Sequence, residues 1–236
     1  FVLPRLTFGG AERLTSLIGT HLASNGVETT FASIAGAGEE SEVGAEWFAQ
    51  VGRLVHLAAD GEMPAKLASL ARQLGPTSIV VSGRGAGFHA LPEVRAAAPL
   101  SRFASFQFND VELVEENRLY APFIDLYIAE GDVAARALIA AGETASRIAV
   151  IPSGADLTRF ADAATTMPPA LAGLARPIVA YFGRLDHAKG PDIFVETCHR
   201  LRNENASFLM GGDGDFAGRT AETIANRRLD RRILRL

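Results

Sequence analysis

Residues 183–190 of the 236-residue sequence read GRLDHAKG. They set Arg184 and Lys189 five apart in a glycine-bounded loop, directly after the apolar run PIVAYF. Arginine offers a planar fork to phosphate oxygens and lysine a mobile point charge, so the two together suit a diphosphate. Gly190 and Pro191 mark the start of a helix, whose free N–H groups would add to the attraction for an anion. The charges alone fit a second arrangement equally well, a surface Arg184–Asp186 ion pair beside a solvated lysine. Three other glycine turns carry possible chemistry. In LTFGGAER (6–13), Gly9 and Gly10 would let the backbone approach a ligand, or form a tight turn with Glu12 matched to the helix dipole. VVSGRGAGFHA (80–90) is spaced GxGxG rather than GxGxxG and is followed by Pro92, which argues against a dinucleotide site. MGGDGDF (210–216) holds Asp213 and Asp215 in a DxD, which is either a Mg²⁺ handle or ordinary turn chemistry.

The bulk of the chain narrows the field. A net charge of -4 and a pI of about 5.8 provide no overall attraction for nucleic acid, so any anion site must be local. Cys198 is the single cysteine, which excludes an internal disulfide framework and a cysteine-based metal site and fits a reducing compartment. The histidines, His21, His56, His89, His187 and His199, show no metal-ligand spacing, and no metal is expected. No apolar stretch reaches the ~18 residues of a membrane span, and FVLPRL does not read as a signal peptide. A cytoplasmic protein is expected. The chain starts as though in mid-strand and stops at RRILRL without a turn, so both ends read as cut.

Strand-length apolar runs alternate with amphipathic stretches of helix length. Strands are expected at 1–3, 28–34, 53–58, 78–82, 102–108, 125–129 and 147–151. Helices are expected at 11–24, 64–74, 89–97, 111–117 and 132–141. Such alternation predicts an α/β fold with a doubly wound parallel sheet over 1–157. The proline-containing stretch 158–176 has no clear period and reads as a linker. A second alternation occupies 177–236, with strands at 177–182, 206–210 and 232–236 and helices at 191–203 and 216–228. Three strands are fewer than the five or six of a finished Rossmann-like domain, so this second domain is expected to be incomplete.

Taken together, these stretches resemble the GT-B-fold retaining glycosyltransferases of family 4. GGAERLTSLIGTHLASNGVETTFASI resembles that family's first glycine loop, helix and second strand, and IPSGADLTRF its "pNGvDxxxF" segment. FGRLDHAKGPDIFVETCHRL resembles the "GRLxxxKGxxxxixA" signature, with Thr197 in place of Ala, and FLMGGDGDF resembles "lxixGxGp". The resemblance implies two Rossmann-like domains with a donor cleft between them, an acceptor-side domain first and a nucleotide-sugar-binding domain second. It implies transfer of a sugar from a UDP-, GDP- or similar nucleotide donor, with retention at the anomeric carbon. Arg184 and Lys189 would hold the donor diphosphate, with Gly9 and Gly10 approaching from the first domain and Gly183, Ser153 and Gly154 lining the cleft. No metal cofactor is implied, which demotes Asp213 and Asp215 to a turn. Where many members carry a His beside an Asp near the sugar, this chain has Asn109 and Asp110 as its candidate catalytic pair. The acceptor is left open among glycans, lipids and small molecules, as in polysaccharide or glycolipid synthesis at the inner face of the plasma membrane.

Other residues are read as structural. Glu196 and Glu204 have the separation of the family's two late glutamates, but they fall too early in the chain and are expected on a solvated helix face. His21 is expected at a packed or boundary position, and Trp47 and Cys198 in cores. The basic run Arg227, Arg228, Arg231, Arg232 and Arg235 reads as a helix end plus solvated charge, with weak peripheral membrane contact as the alternative. Two further functions stay open, a nucleotide-sugar epimerase of the same fold and a non-catalytic fragment that binds nucleotide sugar.

Overall fold

The computed structural model describes residues 1–6, 9–35, 42–82, 85–108, 114, 118–155, 157 and 169–236. It contains two compact units, Phe1–Asp156 and Leu157–Leu236. The elements of the first unit are β1 (Val2–Leu3), α1 (Gly10–Ser24), β2 (Thr30–Ala35), α2 (Glu42–Ala49), β3 (Arg53–Ala58), α3 (Met63–Leu74) and β4 (Ser78–Ser82). These are followed by α4 (Ala86–His89), α5 (Leu91–Ala97), β5 (Arg102–Gln107), β6 (Leu126–Ala129), α6 (Asp132–Ala140) and β7 (Ile148–Val150). The strands make one sheet of order β3-β2-β1-β4-β5-β6-β7, and every pair is parallel.

Period-two alternation sorts the strand residues onto two faces. Val2, Ala32, Ile34 and Val81 join a core with Met63 and Leu67 of α3, Leu91 and Val94 of α5 and Leu138 of α6. Leu3 and Phe31 point the other way and pack with Phe48 of α2. The buried positions of α1 are Thr15, Ser16 and Gly19. A β-carbon at Gly19 would stand 2.5 Å from the Phe31 ring, so close packing requires glycine there. At the entry end of the sheet, Arg95 forms a two-pronged pair with Asp125 at 2.7 and 3.1 Å, and Asp125 also accepts from the Phe103 amide at 2.8 Å. Nearby, the buried Tyr127 hydroxyl donates to Glu143 at 2.8 Å, and Glu143 pairs with Arg147. Burial is the main cause pushing the Tyr127 phenol above its ordinary range.

Several sequence expectations need correction. α2 was not foreseen; at eight residues it is too short for a clear period, and Phe48 anchors it by edge-on contact with Phe31. The single helix expected at 89–97 is divided at Ala90 into α4 and α5, because Pro92 lies in the first turn of a new helix rather than inside an old one. His21 is exposed in the last turn of α1. Trp47 is only half-buried, beneath the Arg13 guanidinium at 5.3 Å. Most of the helix expected at 111–117 lies outside the described residues.

The second unit contains β8 (Ile178–Phe182), α7 (Pro191–Arg200), β9 (Ser207–Gly211), α8 (Ala217–Asn226) and β10 (Ile233–Arg235). Its sheet is parallel, with order β10-β9-β8. Phe208 and Met210 of the central strand pack with Val195, Cys198, Ile224 and Ile233. Cys198 is fully buried, as expected, and desolvation pushes its thiol up to about 11. Glu196 is not merely a solvated residue: it pairs with Arg200 at 2.8 Å and with Arg227, linking α7 to the end of α8. Glu204 is exposed, while Arg232 donates to its carbonyl and lies over the Phe208 ring at 5.6 Å. Among the described residues, no helix is long and apolar enough to cross a membrane.

Candidate functional site

In parallel α/β sheets, ligands gather beyond the carboxyl ends of the strands, where helix N-termini converge. The loop that follows β8 occupies this position in the second unit. It contains Gly183, Arg184, a 3₁₀ turn over His187–Lys189, and Gly190 at the start of α7. Gly190 has φ 63°, the left-handed conformation that glycine adopts without strain, and Pro191 follows it in the first turn of α7.

The loop is held from both sides. Below it, the end of β9 and the chain after it extend the strand pairing: Gly183 donates to Gly211 O at 3.1 Å and Leu185 to Asp213 O at 2.9 Å, and Phe216 donates back to Leu185 O at 2.7 Å. A β-carbon on Gly212 would stand 1.9 Å from the Gly183 carbonyl oxygen, and one on Gly214 2.8 Å from that of Leu185. Glycines 212 and 214 therefore let the two loops close together. Asp213 turns back to accept from the Gly214 amide at 2.8 Å, which makes it a turn residue. Among the described residues, no three His, Cys, Asp or Glu side chains stand together as a metal site.

Within the loop, the Tyr181 hydroxyl donates to the Arg184 carbonyl at 2.6 Å. Burial and the nearby Asp186 charge raise that phenol's pKa. Asp186 Oδ1 accepts from the Lys189 amide at 3.0 Å, and its Oδ2 lies 2.9 Å from Arg184 Nε. The surface ion pair allowed by the sequence is therefore present, and it uses only the Nε edge of Arg184. Among the described residues, the terminal guanidinium nitrogens of Arg184 and the Lys189 ammonium have no protein partner, and both side chains are exposed. The terminal nitrogens of Arg184 and the Lys189 ammonium thus stand exposed beside a helix start, local positive charge on a chain of net charge -4.

In the first unit, Gly9 has extended dihedrals (φ -130°, ψ 161°) and stands at the N-cap of α1, where it supplies no side-chain hydrogen bond. Among the described residues, a β-carbon on Gly10 would meet nothing within 4 Å. This turn lies where the strand order reverses, between β1 and β4. Gly85, with φ 78°, starts α4 on the neighbouring strand, and Gly87 is packed under Val2 and Val81. Ser153 and Gly154 follow β7, and the Ser153 hydroxyl donates to Glu130 at the end of β6. Four strand steps separate β1 from β7, roughly 19 Å at ordinary spacing. Gly9 and Gly10 therefore share a sheet edge with Ser153 and Gly154 without meeting them. Asn109 and Asp110 lie outside the described residues. Sequence reasoning noted Asp186 only as a rival partner for Arg184; its place three residues before Lys189 was the available signal of a cap.

The architecture matches solved structures along its whole length. HepE of Anabaena, solved with UDP and glucose, superposes with a TM-score of 0.73 at 16% identity, over 100% of this chain and 68% of that one. A glycosyltransferase from Rickettsia africae gives 0.71 at 16% identity with the same coverage. A provisionally named UDP-N-acetylglucosamine 2-epimerase from Listeria monocytogenes gives 0.63 at 15%, again over 100% and 68% of the two chains. The fold is therefore α/β with parallel sheets, of the GT-B glycosyltransferase type. In sequence, the chain is 34% identical to the D-inositol 3-phosphate glycosyltransferase of Nocardia farcinica over 115 residues, 48% of this chain and 23% of that relative. The matched stretch thus spans under a quarter of that curated relative's length. No protein-family model matches the chain.

Proposed function

We propose that the protein is a glycosyltransferase that takes its sugar from a nucleoside diphosphate sugar, with the second unit as the donor side and the first as the acceptor side. One observation carries this reading: among the described residues, the terminal nitrogens of Arg184 and the Lys189 ammonium have no protein partner and project from a braced loop at the start of α7. The glycosyltransferase name of the Nocardia relative and the UDP and UDP-glucose complexes of HepE support it.

In this mechanism the bond from the anomeric carbon to the diphosphate oxygen breaks as an acceptor hydroxyl bonds to the same carbon. The hydroxyl proton passes to the departing phosphate, which leaves as a nucleoside diphosphate. Negative charge builds on that phosphate, and fixed cations at Arg184 and Lys189 stabilise it most at the transition state. Attack on the face the leaving group vacates retains configuration, in keeping with the family 4 resemblance. The same resemblance puts Asn109 and Asp110 near the sugar, and has Gly9 and Gly10 approach the phosphate or the transferred sugar. No metal is required, because the two cations supply the charge.

Calorimetric titration of the chain with UDP and GDP tests the reading. Each of Arg184→Ala and Lys189→Ala should weaken binding by about tenfold or more, the effect of losing a charge-assisted hydrogen bond. Unchanged affinity in both would refute donor binding at this loop. EDTA should leave donor turnover unchanged. The Listeria neighbour supports a second reading, an epimerase, which acceptor-free conversion of the donor sugar would favour.

A further inference from the structure

Asp186 is out of place in a phosphate clamp. Its carboxylate is paired with Arg184 in the same loop that carries Lys189, where its charge would repel a diphosphate. As a stabilising ion pair it contributes little, because Arg184 is more than half exposed and solvent-exposed pairs are weak. Simple electrostatics therefore predicts that removing Asp186 would tighten anion binding. The geometry gives the carboxylate a different task. Oδ1 caps the 3₁₀ turn at the Lys189 amide, 3.0 Å away, and so fixes where the lysine leaves the loop. Oδ2 lies 2.9 Å from Nε of Arg184, the one guanidinium edge not needed for a two-pronged grip by the terminal nitrogens. The Arg184 backbone is tied down by the Tyr181 hydroxyl at 2.6 Å and by the neighbouring amides of Gly183, bonded to the end of β9, and Leu185, bonded to the loop after it. The side chain is thus the remaining freedom, and a free arginine carries rotamer entropy that binding must otherwise remove.

We infer that Asp186 is a positioning residue: one oxygen sets the course of Lys189 and the other holds Arg184 by Nε, so that the terminal guanidinium edge faces the donor diphosphate before it arrives. This rests on the donor reading above, and the test separates the two. UDP and GDP are titrated into the chain and into Asp186→Asn, Asp186→Ser, Arg184→Ala and the double variant Asp186→Asn/Arg184→Ala, with melting temperatures recorded for each. Serine keeps a cap for the Lys189 amide but offers Arg184 no charge, so it isolates the Arg184 contact.

Asp186→Asn and Asp186→Ser should each weaken the tighter-binding nucleotide by about three- to tenfold, with melting temperatures close to that of the parent. In the Arg184→Ala background, the Asp186→Asn change should cost nothing or tighten binding slightly, because only the repulsion is then removed. Tighter binding by the single Asp186→Asn variant overturns the inference. So does an undiminished loss in the Arg184→Ala background, which would mark a general structural role. If Arg184→Ala weakens binding while Asp186→Asn does not, the positioning role fails and the donor site stands. If neither nucleotide binds the chain, or if Arg184→Ala and Lys189→Ala bind as the parent does, the donor reading itself fails.

Discussion

Gly212 shows how a residue without a side chain can govern one that has chemistry. Its φ of 140° and the 1.9 Å approach of a virtual β-carbon to the Gly183 carbonyl leave no room for alanine. Gly183 immediately precedes Arg184, so any shift that relieves the clash displaces the cation. Gly212→Ala should lower the second unit's stability by roughly 2 kcal/mol or more. It should also weaken nucleotide binding beyond what partial unfolding explains, as read by urea titration alongside calorimetry. Gly218 lies in α8 with nothing within 4 Å of its virtual β-carbon. Gly218→Ala should therefore leave binding unchanged and raise stability by about 0.5–1 kcal/mol, which makes it the matched control.

At the scale of elements, Asp125 ties α5 to the starts of β5 and β6. It accepts both prongs of Arg95 and the Phe103 amide, and Arg95 lies over the Phe103 ring at 4.7 Å. The Arg95 hydrogen bonds are the chief cause holding the Asp125 carboxyl below its ordinary range. A depressed carboxylate pKa adds stability that is fully present above the unfolded value near 4 and is lost as the pH falls through the folded value. Asp125→Asn should cost about 1–3 kcal/mol at neutral pH, with the gap to the parent closing below about pH 4 in denaturant melts. The sequence made these elements largely legible because each strand is a short apolar run between turn residues; β3 and β4 lie at 53–58 and 78–82 as expected. What it hid was partnership across distance. Asp125 and Arg95 are far apart in the chain, Glu196 finds Arg227 just past the end of another helix, and nothing in the spacing of α2 announces that Phe48 packs on Phe31. The candidate site was legible where it is local, in the five-residue step from Arg184 to Lys189. Its bracing by the loop after β9 was not, because that depends on two loops meeting at glycines.

For the molecule as a whole, the two sheets differ in how far they are covered. The seven-stranded sheet buries residues on both faces, whereas among the described residues β8 pairs with β9 alone and leaves Val179, Ala180 and Phe182 exposed, Phe182 at 68%. Strands of parallel sheets are ordinarily apolar because helices cover both faces, and an uncovered apolar edge is a template for pairing with another chain. The core beneath it, built on Phe208, Met210, Val195 and Ile224, is also the smaller of the two principal clusters. The isolated 236-residue chain should therefore melt in two steps, with the second unit first, and should self-associate as its concentration rises. Val179→Lys puts a charge on that edge, away from Arg184 and Lys189, and should reduce association while leaving nucleotide affinity within about twofold of the parent. Sedimentation velocity over a concentration series, with differential scanning calorimetry of both proteins, reads the outcome. A single cooperative melt from a parent chain that stays monomeric at high concentration would show that the β8 edge is not a liability and that the two units stabilise each other.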